Sequence, residues 1–65
     1  MFNIVRKATG KVYGRDVPVG SVNLVLSAMP SGVYSVVDFD GIEVNLATVK
    51  AGKVRYAKPE ARLVA

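Results

Sequence analysis

The chain has 65 residues, with nine Lys or Arg against five Asp or Glu, and neither Cys nor His. That is one domain's worth of chain, without thiolate or imidazole for a disulfide, a zinc site, a nucleophile or a general base. No enzyme activity, metal or other cofactor is expected from it.

Apolar residues make up 51% of the chain, more surface than one small core uses, so a homodimer is expected to cover the surplus. The formal net charge of +4 hides a sharper pattern. Arg6, Lys7, Lys11 and Arg15 come first, with no acid among them. From Asp16 to Val49 there is no Lys or Arg, and the acids are Asp16, Asp38, Asp40 and Glu43. Lys50, Lys53, Arg55, Lys58 and Arg62 then close the chain against Glu60. If the two basic ends lie side by side, they form one positive face for a polyanion. The same charges equally serve as ordinary solvated surface on a small apolar domain.

In chain order, Phe2 to Lys7 reads as a strand with Phe2 and Ile4 inward, followed by a turn at Ala8 to Gly10. The short run before Arg6 and Lys7 does not read as a signal peptide, because its charges follow the apolar residues. No stretch approaches the ~20 apolar residues of a membrane span, so a cytoplasmic protein without membrane association is expected. If the gene is viral, that cytoplasm is the host's. Lys11 to Arg15 reads as a short strand or arm. Gly14 to Gly20 reads as an edge or irregular segment, since Pro18 cannot donate to a ladder.

Ser21 to Ala28 alternates Val22, Leu24 and Leu26 with Asn23, Val25 and Ser27, which favours a strand, although Ser21 also suits the cap of a short helix. After a turn at Met29 to Gly32, Val33 to Asp38 and Ile42 to Val49 form a hairpin around Asp38-Phe39-Asp40-Gly41. Asp there bonds its own backbone, and Gly accepts positive φ. In the second of these strands Ile42, Val44 and Leu46 are expected inward, against Glu43, Asn45 and Ala47. Tyr34 and Val36 share one face, Val33, Ser35 and Val37 the other. Both faces are partly apolar, as in a strand covered on both sides. Lys50 to Gly52 is a tight connection to a last strand, Lys53 to Ala57.

The expectation is an all-β domain over residues 1–58, a small five- to six-stranded barrel of the OB or SH3-like kind, with a C-terminal tail at 59–65. An α+β fold with a helix at Ser21 to Met29 is the alternative. The expected core is Ile4, Val12, Val22, Leu24, Leu26, Val37, Ile42, Val44, Leu46 and Val54.

Lys11-Val12-Tyr13-Gly14-Arg15 is the most informative local pattern. If extended, it projects Lys11, Tyr13 and Arg15 from one face. A ring between two cations suits a stacked base with its neighbouring phosphates, with plain packing of Tyr13 as the alternative. Lys53, Arg55, Tyr56 and Lys58 repeat the theme more loosely, with Tyr56 on the face opposite Lys53 and Arg55 and as suited to packing as to stacking. The glycine spacing at Gly10, Gly14 and Gly20 matches no phosphate-cradling motif. Asp38, Asp40 and Glu43 are too few and wrongly spaced for a calcium loop.

Lys7-Ala8-Thr9-Gly10-Lys11-Val12-Tyr13 resembles the basic G-K-x-Y loop of the small single-stranded DNA-binding proteins of filamentous phages. Pro30-Ser31-Gly32-Val33-Tyr34-Ser35-Val36 is similar to their P-x-G-x-Y-x-V segment. Lys50-Ala51-Gly52-Lys53 and Ala61-Arg62-Leu63-Val64-Ala65 resemble their final hairpin and ending. The resemblance implies an OB-type dimer that binds single strands through basic and aromatic residues. The chain is shorter than those proteins, has fewer aromatics and lacks a clear second aromatic on a binding loop. Asp38 to Val49 also resembles a V-D-F-x-G…V-N-L stretch of small hydrogenase-assembly chaperones, whose essential N-terminal Cys is missing here.

Together these readings lead to an expected phage-type protein that binds nucleic acid, single-stranded DNA or RNA, through Arg6, Lys7, Lys11, Tyr13, Arg15, Lys53, Arg55, Tyr56 and Lys58. The rival expectation is a small phage or plasmid accessory protein that binds and modulates a host protein through the apolar and acidic middle. A subunit of a larger assembly is the third.

Overall fold

In the computed structural model, which describes residues 1–58, the central hairpin forms as expected. Strand β3 (Gly32–Asp38) pairs antiparallel with β4 (Glu43–Lys50). The turn is held by the Asp38 carboxylate, whose Oδ1 accepts from the N–H of Asp40 at 2.9 Å and of Ile42 at 3.0 Å. Gly41 completes it at a φ of 82°, where a Cβ would be strained.

Three further strands complete the sheet: β1 (Phe2–Arg6), β2 (Val12–Val17) and β5 (Lys53–Tyr56). Their order is β2-β1-β3-β4-β5, with every neighbouring pair antiparallel. Among the described residues no pairing joins β2 to β5, so the sheet stays open and the barrel expected from the sequence is not closed. Over the described residues the fold is mostly β with one short helix. The expected tail, 59–65, lies outside the described residues.

The helix is α1 (Val22–Ser27), entered through a 3-10 turn at Val19–Ser21. The strand expected there does not form. Val22 and Leu26 satisfy a two-residue and a helical repeat equally, and Leu24 decides between them. In the helix it is 73% exposed, while Val22, Val25, Leu26 and Met29 make one apolar stripe against the sheet. An open sheet leaves a hydrophobic face that something must cover, and this crossover between β2 and β3 covers it. Tyr56 on β5 ties the helix down, its hydroxyl donating to Asn23 Oδ1 at 3.1 Å.

The core comprises Ile4, Val17, Val22, Leu26, Tyr34, Val36, Ala47 and Val49. On β4 it uses residues that were expected to face outward. Val36 pairs with Asn45 but Val37 pairs with Glu43, which makes Val44 the extra residue of a bulge. A slip of one residue exchanges the two faces of a strand. Asn45, Ala47 and Val49 therefore point to the helix side, and Leu46 moves to the opposite face, half-buried. Ile42 lies before the strand and is 60% exposed. Val12 and Val37 are likewise only half-buried, and Val44 and Val54 pack on the core's margin.

Asn45 is a buried polar residue with its needs met. Its Oδ1 accepts from the Lys58 N–H at 3.0 Å, and its Nδ2 donates to the Lys58 carbonyl at 3.4 Å. That clamp holds the chain beyond β5 against the sheet.

The β4–β5 connection is Ala51-Gly52, with φ of 51° and 79°. Positive φ at both central residues is the type I′ hairpin turn, whose twist matches the strands it joins. Ala51 has no side-chain group to ease that conformation, which costs a non-glycine residue about 1 kcal/mol or more. Ala51→Asn should therefore stabilise the fold by about 1 kcal/mol and raise the thermal midpoint by about 4–8 °C. A thermal melt followed by circular dichroism checks this.

Candidate nucleic-acid interface

Antiparallel pairing alternates the strand ends, so the β1–β2 turn, the entry to β3 and the β4–β5 turn all fall at one end of the sheet. Register confirms this row by row. Arg6 lies opposite Tyr34, which lies opposite Ala47; Gly32 lies opposite Val49, which lies opposite Val54. The Arg6 N–H donates to the Lys11 carbonyl at 2.9 Å, and the Lys7 N–H to the Val33 carbonyl at 3.0 Å. Arg6, Lys7, Lys11, Lys50, Lys53 and Arg55 thus share one end. Asp38, paired with Phe2, lies at the other, beside Asp40 and, through Val17, Asp16. The basic ends of the chain do converge, but along the rim of the sheet. β3 and β4 separate β1 from β5, a distance of about 15 Å at ordinary strand spacing.

The cations divide between the two faces. On the face away from the helix, Thr48 lies opposite Arg55 and Lys50 opposite Lys53. With Ala51 these residues line a groove of about 530 Å³. Sequence reasoning had not placed Thr48 or Lys50 in the site. The signal was available in Lys50-Ala51-Gly52-Lys53, where a two-residue turn sets its flanking lysines opposite each other. The centre of the same face is partly apolar, with Val5, Val33, Val37 and Leu46 around a buried Ser35.

On the helix side, Arg6 lies over the Tyr34 ring, with Cζ 5.8 Å from its centroid. Its Nη2 donates to the Ser31 carbonyl at 3.1 Å. The guanidinium rests where Gly32 has no side chain, since a Cβ there would sit 3.1 Å from Nη2. Tyr34 is fully buried, and its hydroxyl donates to the Pro30 carbonyl at 2.7 Å. Tyr13 packs against it edge to face, with centroids 5.6 Å apart and planes at 82°. The Lys11 ammonium lies 5.2 Å from the Tyr13 centroid. Two aromatic rings and two cations therefore form one cluster, in which cation–π attraction offsets part of the charge crowding.

Tyr13 is 36% exposed, a ring half embedded in that cluster. The simple alternation expected for Lys11, Tyr13 and Arg15 does not hold, because β2 carries two irregularities against β1, on either side of the Ile4–Gly14 pair. Arg15 lies beyond Gly14 on this edge strand, away from the basic end, and is exposed. Tyr56 belongs to the seam between helix and sheet. Lys58 is exposed and sits beside Asn45, nearer the middle of the sheet than its basic rim.

Glu43 stands apart from the other acids. On the face away from the helix, its Oε1 accepts from Ser35 Oγ at 2.6 Å and pairs with Lys7 Nζ at 3.2 Å. The hydrogen bond from Ser35, then that from Lys7, hold its carboxyl below the ordinary range. A lowered folded-state pKa stabilises the fold above the unfolded-state value, and the contribution is lost as pH falls through the lowered one. Urea midpoints should therefore fall as pH drops below about 4.3, the ordinary glutamate value. Glu43→Gln should flatten that acid limb; an unchanged profile would exclude the contribution.

Among the described residues no three His, Cys, Asp or Glu side chains gather to hold a metal. No described helix is long and apolar enough to cross a membrane. Comparison with protein-family models, curated proteins and solved structures returned no match.

Proposed function

We propose that the protein binds nucleic acid, single-stranded DNA or RNA, with the basic end of its sheet. The observation that carries this reading is the segregation of charge: Arg6, Lys7, Lys11, Lys50, Lys53 and Arg55 at one end, Asp16, Asp38 and Asp40 at the other. Such a field draws a polyanion to the basic rim and turns the acidic end away. Phosphate contacts supply most of the affinity, and the exposed part of the Tyr13 ring offers a base a surface on which to stack. No catalytic step is assigned. The reading does not depend on closure into an OB or SH3-like barrel, nor on kinship with the phage single-stranded DNA-binding proteins. A homodimer joined through the partly apolar centre of the open face would leave the rim cations accessible.

Titration of a fluorescent oligonucleotide across a series of salt concentrations tests the reading. Affinity should fall with a log–log slope of about −0.7 for each phosphate engaged. Tyr13→Leu, which keeps apolar packing against Tyr34, should weaken single strands more than duplex, because only unstacked bases reach the ring. Absence of binding at low salt would remove the proposal. Equal losses on single strands and duplex would remove the stacking role alone.

A second reading has its own observation. Phe39 is 84% exposed, Ile42 60% and Met1 65%, all at the acidic end. The Asp38 hydrogen bonds make the turn that presents Phe39 a structured one. Exposed apolar groups beside acids suit a protein partner with an apolar pocket and a basic rim. A stoichiometric protein partner that survives nuclease treatment and is lost with Phe39→Ser would favour this reading.

A further inference from the structure

The hairpin between β4 and β5 is built against its own stability. Lys50 and Lys53 are direct cross-strand partners, and Thr48 and Arg55 are the next pair on the same face. Like charges directly opposite each other destabilise a sheet. Among the described residues the ion pair is Lys7 with Glu43, so no acid answers Lys50, Lys53 or Arg55. Glu43 is already engaged by Lys7 and Ser35.

The crowding is not relieved by a loose loop. The type I′ turn fixes the two strands, and the Ala51 N–H donates to Ser31 Oγ at 3.3 Å, tying the hairpin to the entry of β3. Directly opposed side chains start about 5 Å apart, and those two residues along a strand about 7 Å apart. Two ammonium groups, one guanidinium and one hydroxyl are therefore gathered around one groove of about 530 Å³. Arginine's planar fork matches the two non-bridging oxygens of a backbone phosphate, lysines neutralise the charge, and a threonine hydroxyl donates to one of the same oxygens. A rule of sheet design broken without compensation among the described residues is what a functional or strained site leaves.

We infer that Thr48, Lys50, Lys53 and Arg55 form a phosphate-binding subsite, filled by a backbone phosphate of a single strand. This rests on the nucleic-acid reading and gives it an anchor point. The phosphate takes the place of the missing acid, so ligand binding and hairpin stability are coupled.

The test uses the full chain, Lys50→Gln/Lys53→Gln, and Arg15→Gln/Lys58→Gln, which removes equal charge away from the groove. Octathymidylate and inorganic pyrophosphate are the probes. The subsite requires the first variant to lose about tenfold or more in oligonucleotide affinity at low salt, and the second markedly less, through net charge alone. Without ligand, the first variant should melt at or above the wild-type temperature, because the opposed charges are gone. Pyrophosphate should raise the wild-type melting temperature and leave that variant's unchanged, with wild-type amide shifts concentrated at residues 48–55. Equal losses in the two variants, or shifts spread evenly over all the cations, would overturn the subsite while leaving nucleic-acid binding intact. A pyrophosphate response at the hairpin without oligonucleotide binding would keep a phosphate site and end the nucleic-acid reading.

Discussion

The pairing of β1 with β3 is the constraint on which the rest of this protein turns. It joins the N-terminal hairpin to the central one in a register running from Phe2 opposite Asp38 to Arg6 opposite Tyr34. Because the pairing is antiparallel, the first basic cluster lands at the end of the sheet that also holds the β4–β5 turn. A parallel pairing would have put Arg6 beside Asp38. Charges far apart in the sequence become one pole, and Asp16, Asp38 and Asp40 become the other.

That polarity is tied into the interior through Tyr34. Its ring is wholly buried, touched by Tyr13 on one side and overlaid by the Arg6 guanidinium. Its hydroxyl holds the Pro30 carbonyl just before β3 begins. The basic rim is thus not a fringe of free side chains. Arg6 and Lys11 are organised by aromatic rings, Lys7 by Glu43, and the remaining cations by a tight hairpin. Like charges gathered in this way repel one another, a cost that cation–π contact offsets only in part and that a bound polyanion would relieve.

The two faces of the sheet do different work. One is sealed by α1, with Val22 and Leu26 fully buried above Ile4, Tyr34 and Val36. The other has valine and leucine at its centre and cations at its rim. Among the described residues a helix covers one face of a sheet with apolar residues on both, which leaves surface there for a second molecule, whether nucleic acid, another copy or a protein.

Local chemistry was legible in the sequence. Asp38 and Gly41 announced their turn, Gly52 and its neighbours another, and the β-branched run from Val33 announced a central strand. Charge blocks, and the lack of groups for thiol or imidazole chemistry, were equally plain. What local pattern could not resolve was phase and cover. The bulge at Val44 reverses which half of β4 is inside, and nothing in an alternating run marks where an extra residue will be inserted. Val22 and Leu26 suit a strand as well as a helix; only the demand of an open sheet for a covering layer selects the helix and pushes Leu24 into solvent. Tyr13 looked like a free platform because Tyr34, its packing partner, is twenty-one residues away in the chain. The sequence by itself determined the turns, the strand-forming segments and the amount of charge. The tertiary structure alone decided which faces are buried and that the two basic segments share one end of the sheet, because both depend on pairing between residues that no local period connects.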